Sequence, residues 1–238
     1  MRATRNTITR LAVVLLALWP ALVSAQPVSA DDYRAFWLWS GVTPKPALAK
    51  AQEVFLLAGE VTARGITSQR GATPRVKTSK VWIVYRVQTL DWPPGAMENI
   101  LRHVAAWQDA GNDMAGLQID FDSGTRNLGS YVAFLRDVRA KLPSELKLGI
   151  TGLLDWGANA RAADLAALHG VVDEVILQIY QGRRVIPGYQ NYLVRLQKLN
   201  VPFRVGLLEG GGWSAPGNLA ADPMFRGYVV FLVNGAGR

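Results

Sequence analysis

The sequence predicts an α/β protein, a (β/α)8 TIM barrel. Apolar runs of strand length recur eight times along the chain, and helical stripes separate the later ones. The fourth run, MAGLQIDFD at 114–122, alternates with a period of two and ends in carboxylates. Gln118, Asp120 and Asp122 share one of its faces, while Leu117, Ile119 and Phe121 share the other. Outward residues of a barrel strand pack under helices, and inward residues at its carboxyl end face the chemistry. This run fits that description.

The first 25 residues read as a signal peptide. Arg2, Arg5 and Arg10 precede a short apolar core at 11–18, Pro20 interrupts it, and Val23-Ser24-Ala25 supplies a small-residue cleavage site. The core is well short of the ~20 residues that span a bilayer, so contact with a membrane is expected only through this leader before cleavage. Residues 26–238 are expected to form one exported barrel domain, periplasmic or extracellular.

The eight expected strands lie at 33–39, 53–58, 80–87, 116–122, 146–152, 174–180, 203–208 and 228–233. Met97, Ile100, Leu101, Val104 and Trp107 mark a helix before the fourth strand, and Leu128, Tyr131, Val132, Leu135, Val138 and Leu142 mark one after it. A third stripe, Tyr189, Tyr192, Leu193, Leu196 and Leu199, lies between the sixth and seventh strands. Pro143 and Pro202 stop two of these helices. The first half is less regular. Residues 59–79 are rich in Gly, Thr, Arg and Ser and predict no helix, and none follows the eighth strand, so the barrel is expected to be trimmed.

Composition excludes several classes. The chain has no cysteine and two histidines, His103 and His169, on separate expected helices. That leaves too few soft ligands for a zinc site, and no metal or other cofactor is expected. The net charge of +8 includes the three arginines of the leader, and no Lys/Arg run or basic stripe suggests nucleic acid. Ser123 lies in DSGTR, outside any G-x-S-x-G elbow, and no phosphate-binding glycine motif is present.

FWLWSG at 36–41, LQIDFD at 117–122 and LQIYQGRR at 177–184 resemble the bacterial family of domain of unknown function 3142, grouped with barrel-fold glycosidases. MAGLQIDFD is also distantly similar to the D-G-x-D-x-D-x-E motif of family 18 glycoside hydrolases, the chitinases. Gly116 falls on its Gly, Asp120 on its last Asp and Asp122 on its catalytic Glu, while Ala115 and Gln118 replace two aspartates. In LQIYQ, Tyr180 matches the Tyr of the sixth-strand M-x-Y-D motif and Gln181 replaces its Asp. The resemblance implies a barrel and a glycosidase-like site with altered acids.

Read from the residues, Asp122 is the best candidate acid, because it closes the fourth strand at the expected mouth; its alternative is to order the following loop. Asp120 lies one layer deeper, with Arg86 of the third strand as its partner; a buried ion pair and a catalytic role both fit. Glu209 ends the seventh strand, ahead of Gly210-Gly211-Gly212-Trp213, and is the second carboxylate expected to flank a scissile bond. Asp155, Tyr180 and Gln181 end strands on the same face and join Gln118 and Arg86 as expected binding groups. Trp37, Trp156 and Trp213 are expected to stack on sugar rings, the latter two from loops, with core filling the alternative for Trp37. The expected function is an exported carbohydrate-active barrel, a glycoside hydrolase acting on a polysaccharide or oligosaccharide. The alternatives are a non-catalytic carbohydrate-binding barrel and an exported scaffold with a degenerate site.

Overall fold

Eight parallel strands close on themselves in this structure, a computed structural model describing residues 25–69, 75–76, 79–196 and 199–235. The strands are β1 (Ala35–Leu38), β2 (Glu53–Thr62), β3 (Lys80–Val87), β4 (Met114–Asp120), β5 (Lys147–Leu153), β6 (Glu174–Gln178), β7 (Phe203–Leu208) and β8 (Phe225–Leu232). Each pairs with its neighbour in sequence, and β1 closes the ring by pairing with both β2 (Phe36 opposite Val54) and β8 (Trp37 opposite Phe231). The chain is a (β/α)8 TIM barrel. All eight expected strands are present. The expected leader, apart from Ala25, lies outside the described residues.

Helices α1 (Ala96–Asp109) and α2 (Leu128–Lys141) flank β4. Their buried stripes, Met97, Ile100, Val104 and Trp107 on one and Leu128, Tyr131, Val132, Leu135 and Val138 on the other, meet the outward faces of the strands. The remaining helices are short: α3 (Trp156–Asn159), α4 (Ala162–Ala166) and α5 (Tyr189–Leu193). The helix-poor first half is as expected. Only a 3-10 turn (Pro46–Lys50) separates β1 from β2, and β2 then folds back on a short strand (Gly65–Ser68).

Two apolar layers result. One lies between strands and helices; the other fills the barrel, where Trp82 stacks on Phe55 with ring centroids 5.2 Å apart and Trp37 on Phe231 at 5.1 Å. Glycine makes room for these rings. A Cβ at Gly149 would lie 3.0 Å from the Trp82 ring, and one at Gly206 would lie 2.8 Å from the Phe231 ring. Each large ring hides roughly 150–250 Å², about 4–6 kcal/mol as an upper figure, against about 0.5–1 kcal/mol lost per strand glycine. The rings win.

Candidate functional site

The mouth at the carboxyl ends of the strands holds a cleft of about 650 Å³. Its floor is built by three neighbouring strands: Arg86 near the end of β3, Asp120 closing β4, and Thr151 of β5 beneath. Strand register sets Arg86 opposite Asp120. Asp122 stands two residues past the end of β4, and its carboxylate is 60% exposed, whereas that of Asp120 is 3% exposed. Arg86 joins them, with Nη1 3.5 Å from Asp120 Oδ2 and Nη2 3.3 Å from Asp122 Oδ2.

Thr151 Oγ1 donates a 2.7 Å hydrogen bond to Asp120 Oδ1. Burial raises the Asp120 pKa above the usual carboxylate range; Thr151 and Arg86 act against this, and the charge of Asp122 reinforces it. Its Oδ2 accepts no hydrogen bond, and neither Asp155 Oδ1 nor Tyr180 Oη, both buried, has a partner. The Tyr180 phenol is pushed well above its ordinary value, first by burial and then by Asp120 and Asp122, so it is a neutral donor here. Asp155 and Tyr180 thus hold polar atoms without protein partners, and Asp120 Oδ2 has only its ion contact with Arg86, so a polar ligand could satisfy all three.

Asp120, Asp122, Arg86, Asp155, Tyr180 and Gln181 all line this cleft. Other expected residues do not. Gln118 and Trp37 are fully buried below it and bonded to each other, because the barrel continues past them by one more layer of inward side chains. Trp156, expected on a mouth loop, is fully buried in α3, where its indole N–H donates to the Ser123 carbonyl at 2.9 Å.

Glu209 turns aside from the cleft. Its carboxylate lies 2.5 Å from Lys45 Nζ and accepts the backbone N–H of Val233 at 3.1 Å, so it ties loops together. Trp213 is held by packing. Its ring stacks on Tyr189 at 5.2 Å and meets Tyr228 edge-on at 5.5 Å. The glycine run before it serves close packing, since a Cβ at Gly211 would come within 2.7 Å of Val185. The expected Asp120–Arg86 pair is present, but the guanidinium is 40% exposed and shared with Asp122, so it is no buried cation.

Trp39 is the aromatic residue that lines the cleft in place of these, with the Arg86 guanidinium 5.9 Å from its ring centroid. It stands just past the end of β1 and continues the inward parity of residues 35 and 37. Gln178, two before Tyr180, and Thr151 were missed as well, although each is an inward neighbour in the same alternation. Among the described residues, no group of three or more His, Cys, Asp or Glu side chains is placed to hold a metal ion. No helix among them is long and apolar enough to cross a membrane.

Residues 74–191 match the family described as Domain of unknown function (DUF3142). The match covers just under half of the chain. It runs from just before β3 into α5 and takes in LQIDFD and LQIYQGRR, leaving FWLWSG outside. No curated protein matches the chain.

Solved structures share the fold. The Bacillus cereus spore cortex-lytic enzyme SleL is 17% identical with a TM-score of 0.51; 73% of this chain aligns to 49% of that one, so this chain spans about half its length. The chitinase domain of the spore coat protein CotE from Clostridium difficile is 12% identical, with a TM-score of 0.50 over 82% of this chain and 68% of that one. The tamarind chitinase-like lectin is 9% identical, with a TM-score of 0.50 over 84% of this chain and 94% of that one. The distant chitinase resemblance is therefore one of fold, and that fold houses both enzymes and a lectin.

Proposed function

We propose that the protein is an exported carbohydrate-active barrel that takes an oligosaccharide or polysaccharide into the cleft above β3–β6. One observation carries the reading: the Asp120–Arg86–Asp122 cluster lies at the floor of an open cleft, with the Trp39 ring and the partnerless Tyr180 hydroxyl beside it. A flat ring with a few convergent polar groups suits a sugar, whose faces are apolar and whose edges carry hydroxyls. The chitinase domain and the chitinase-like lectin, similar in fold, support the same substrate class.

Hydrolysis is the leading form of this activity. Asp122, open to the cleft, protonates the glycosidic oxygen as its bond to the sugar carbon breaks. Water adds to that carbon and its proton returns to the Asp122 carboxylate, while Asp120 holds Arg86 against Asp122 from below. The second reading is a non-catalytic sugar-binding barrel. It is favoured by the Arg86 contact, which occupies Asp122 Oδ2, and by the shorter acid at the position of the chitinase glutamate.

Purified protein screened against bacterial and plant polysaccharides separates these, with binding and reducing-end release measured together. Release supports hydrolysis, and binding without release supports the second reading. Absence of both removes the carbohydrate proposal and leaves the scaffold alternative. N-terminal sequencing of the protein recovered outside the cytoplasm tests export; cleavage after Ala25 is the expected result.

A further inference from the structure

The cleft does not stand alone across the barrel mouth. On one side a depression of about 530 Å³, formed by residues 124–127, shares Asp155 with it. On the other, a depression of about 350 Å³ shares Trp39, Tyr180 and Gly182 with it. The three adjoin through these shared residues and together make a trough. One arginine stands in each: Arg126, Arg86 and Arg183. Arg126 and Arg183 are exposed and make no ion pair with a described carboxylate, and the depression around Arg183 is lined by no acid.

We infer that this trough binds an acidic glycan chain, with Arg126 and Arg183 meeting its anionic groups on either side of the central cleft. This rests on the carbohydrate reading above and adds the charge of the substrate. An isolated exposed arginine signifies nothing. Two without ion-pair partners, in the depressions that adjoin the cleft of Arg86, offer positive charge on either side of it, as a polymer with a charge on each repeat can use. Arginine also suits flat anions, because its fork donates to both oxygens of a carboxylate. Of the carboxylates, Asp122 is paired with Arg86, Asp120 is buried beneath it, and Asp155 stands between the central cleft and Arg126, so an anion meets least opposition at Arg183. The Tyr180 hydroxyl and the free N–H groups of Arg86 are further donors to an anion at the floor.

The test uses calorimetric titration of the full protein with oligogalacturonate, its carboxyl-reduced counterpart of equal length, and a sulfated neutral oligosaccharide. The inference expects the carboxylate or sulfate chain to bind about tenfold more tightly than the uncharged one. That gap should narrow as salt rises, since exposed charges are screened within about 8–10 Å at physiological strength. Arg126→Gln with Arg183→Gln, checked for an unchanged melting temperature, should remove most of the gap. Preference for one anionic chain over the other tells carboxylate from sulfate. Equal affinity for charged and uncharged chains overturns the inference and leaves the carbohydrate reading standing. If no chain of this set or of the polysaccharide panel binds, the carbohydrate reading falls and the inference falls with it.

Discussion

The Trp37 indole N–H donates a 2.8 Å hydrogen bond to Oε1 of Gln118, joining β1 to β4 through the barrel interior. Both side chains are fully buried, and Gln118 Nε2 has no partner. Gln118→Ala leaves the indole N–H unpaired, which costs about 1–3 kcal/mol, and opens a cavity beneath the cleft. A clear drop in the thermal midpoint is expected. An unchanged midpoint would show that the bond contributes nothing.

Asp122→Asn should leave the fold intact. Its carboxylate is mostly solvated and its contact with Arg86 is a surface ion pair, worth about 0–1 kcal/mol. If the protein hydrolyses glycans, turnover should be lost in this variant. Retained turnover removes Asp122 from the chemistry.

Asp120 should reveal itself through pH. Its folded pKa is raised, so the folded chain holds this proton more tightly than the unfolded chain does. The stability from that proton is fully present below about pH 4, the unfolded value, and is lost as pH rises through the raised folded value. Asp120→Asn lacks this dependence and keeps an acceptor for Thr151. Melting curves should therefore shift in favour of the variant between pH 4 and pH 7. A difference that does not vary with pH would rule out the raised value.

Trp39 and Trp213 should behave oppositely. Trp39→Ala is expected to weaken glycan binding by roughly 1–3 kcal/mol, as for an anchoring ring, with a smaller effect on folding. Trp213→Ala loses its stacking on Tyr189 and its edge contact with Tyr228. It should lower stability by about 1–3 kcal/mol and leave binding alone. The reverse pattern would return Trp213 to the site.

What could be read from the chain follows from how local each feature is. The barrel was legible because each strand carries its own apolar run, and the acids of β4 because alternation fixes which side chains point inward. Trp156 and Trp213 were not, since irregular segments have no period and distant packing decides their burial. Glu209 could not be placed because its partner, Lys45, lies 164 residues away. Arg86 showed the same limit: its pairing with Asp120 follows from adjacent strands, but its sharing with Asp122 depends on a loop.

His103 predicts a second pH effect, away from the cleft. The Trp107 indole N–H can only donate, and it reaches His103 Nε2 at 3.1 Å. The ring proton is therefore on Nδ1, which lies 2.5 Å from Tyr85 Oη. Burial lowers the His103 pKa, so the folded chain takes up this proton less readily than the unfolded chain. The neutral ring's stability is full above about pH 6.5 and declines as pH falls through that value, until the lowered folded pKa is reached. Between pH 8 and pH 5.5, wild type should lose more thermal stability than His103→Gln. Parallel losses would exclude the ring.

The stacked rings of Trp82, Phe55, Trp37 and Phe231 make the barrel a blind well, because all four are sealed from solvent. Nothing can thread the molecule from end to end. A ligand must leave by the opening through which it came, and a chain longer than the cleft lies over the barrel like a rod across a cup. Escape is then limited by how quickly contacts along the rim are released, so substitutions there should alter residence time before they alter the chemistry at the floor.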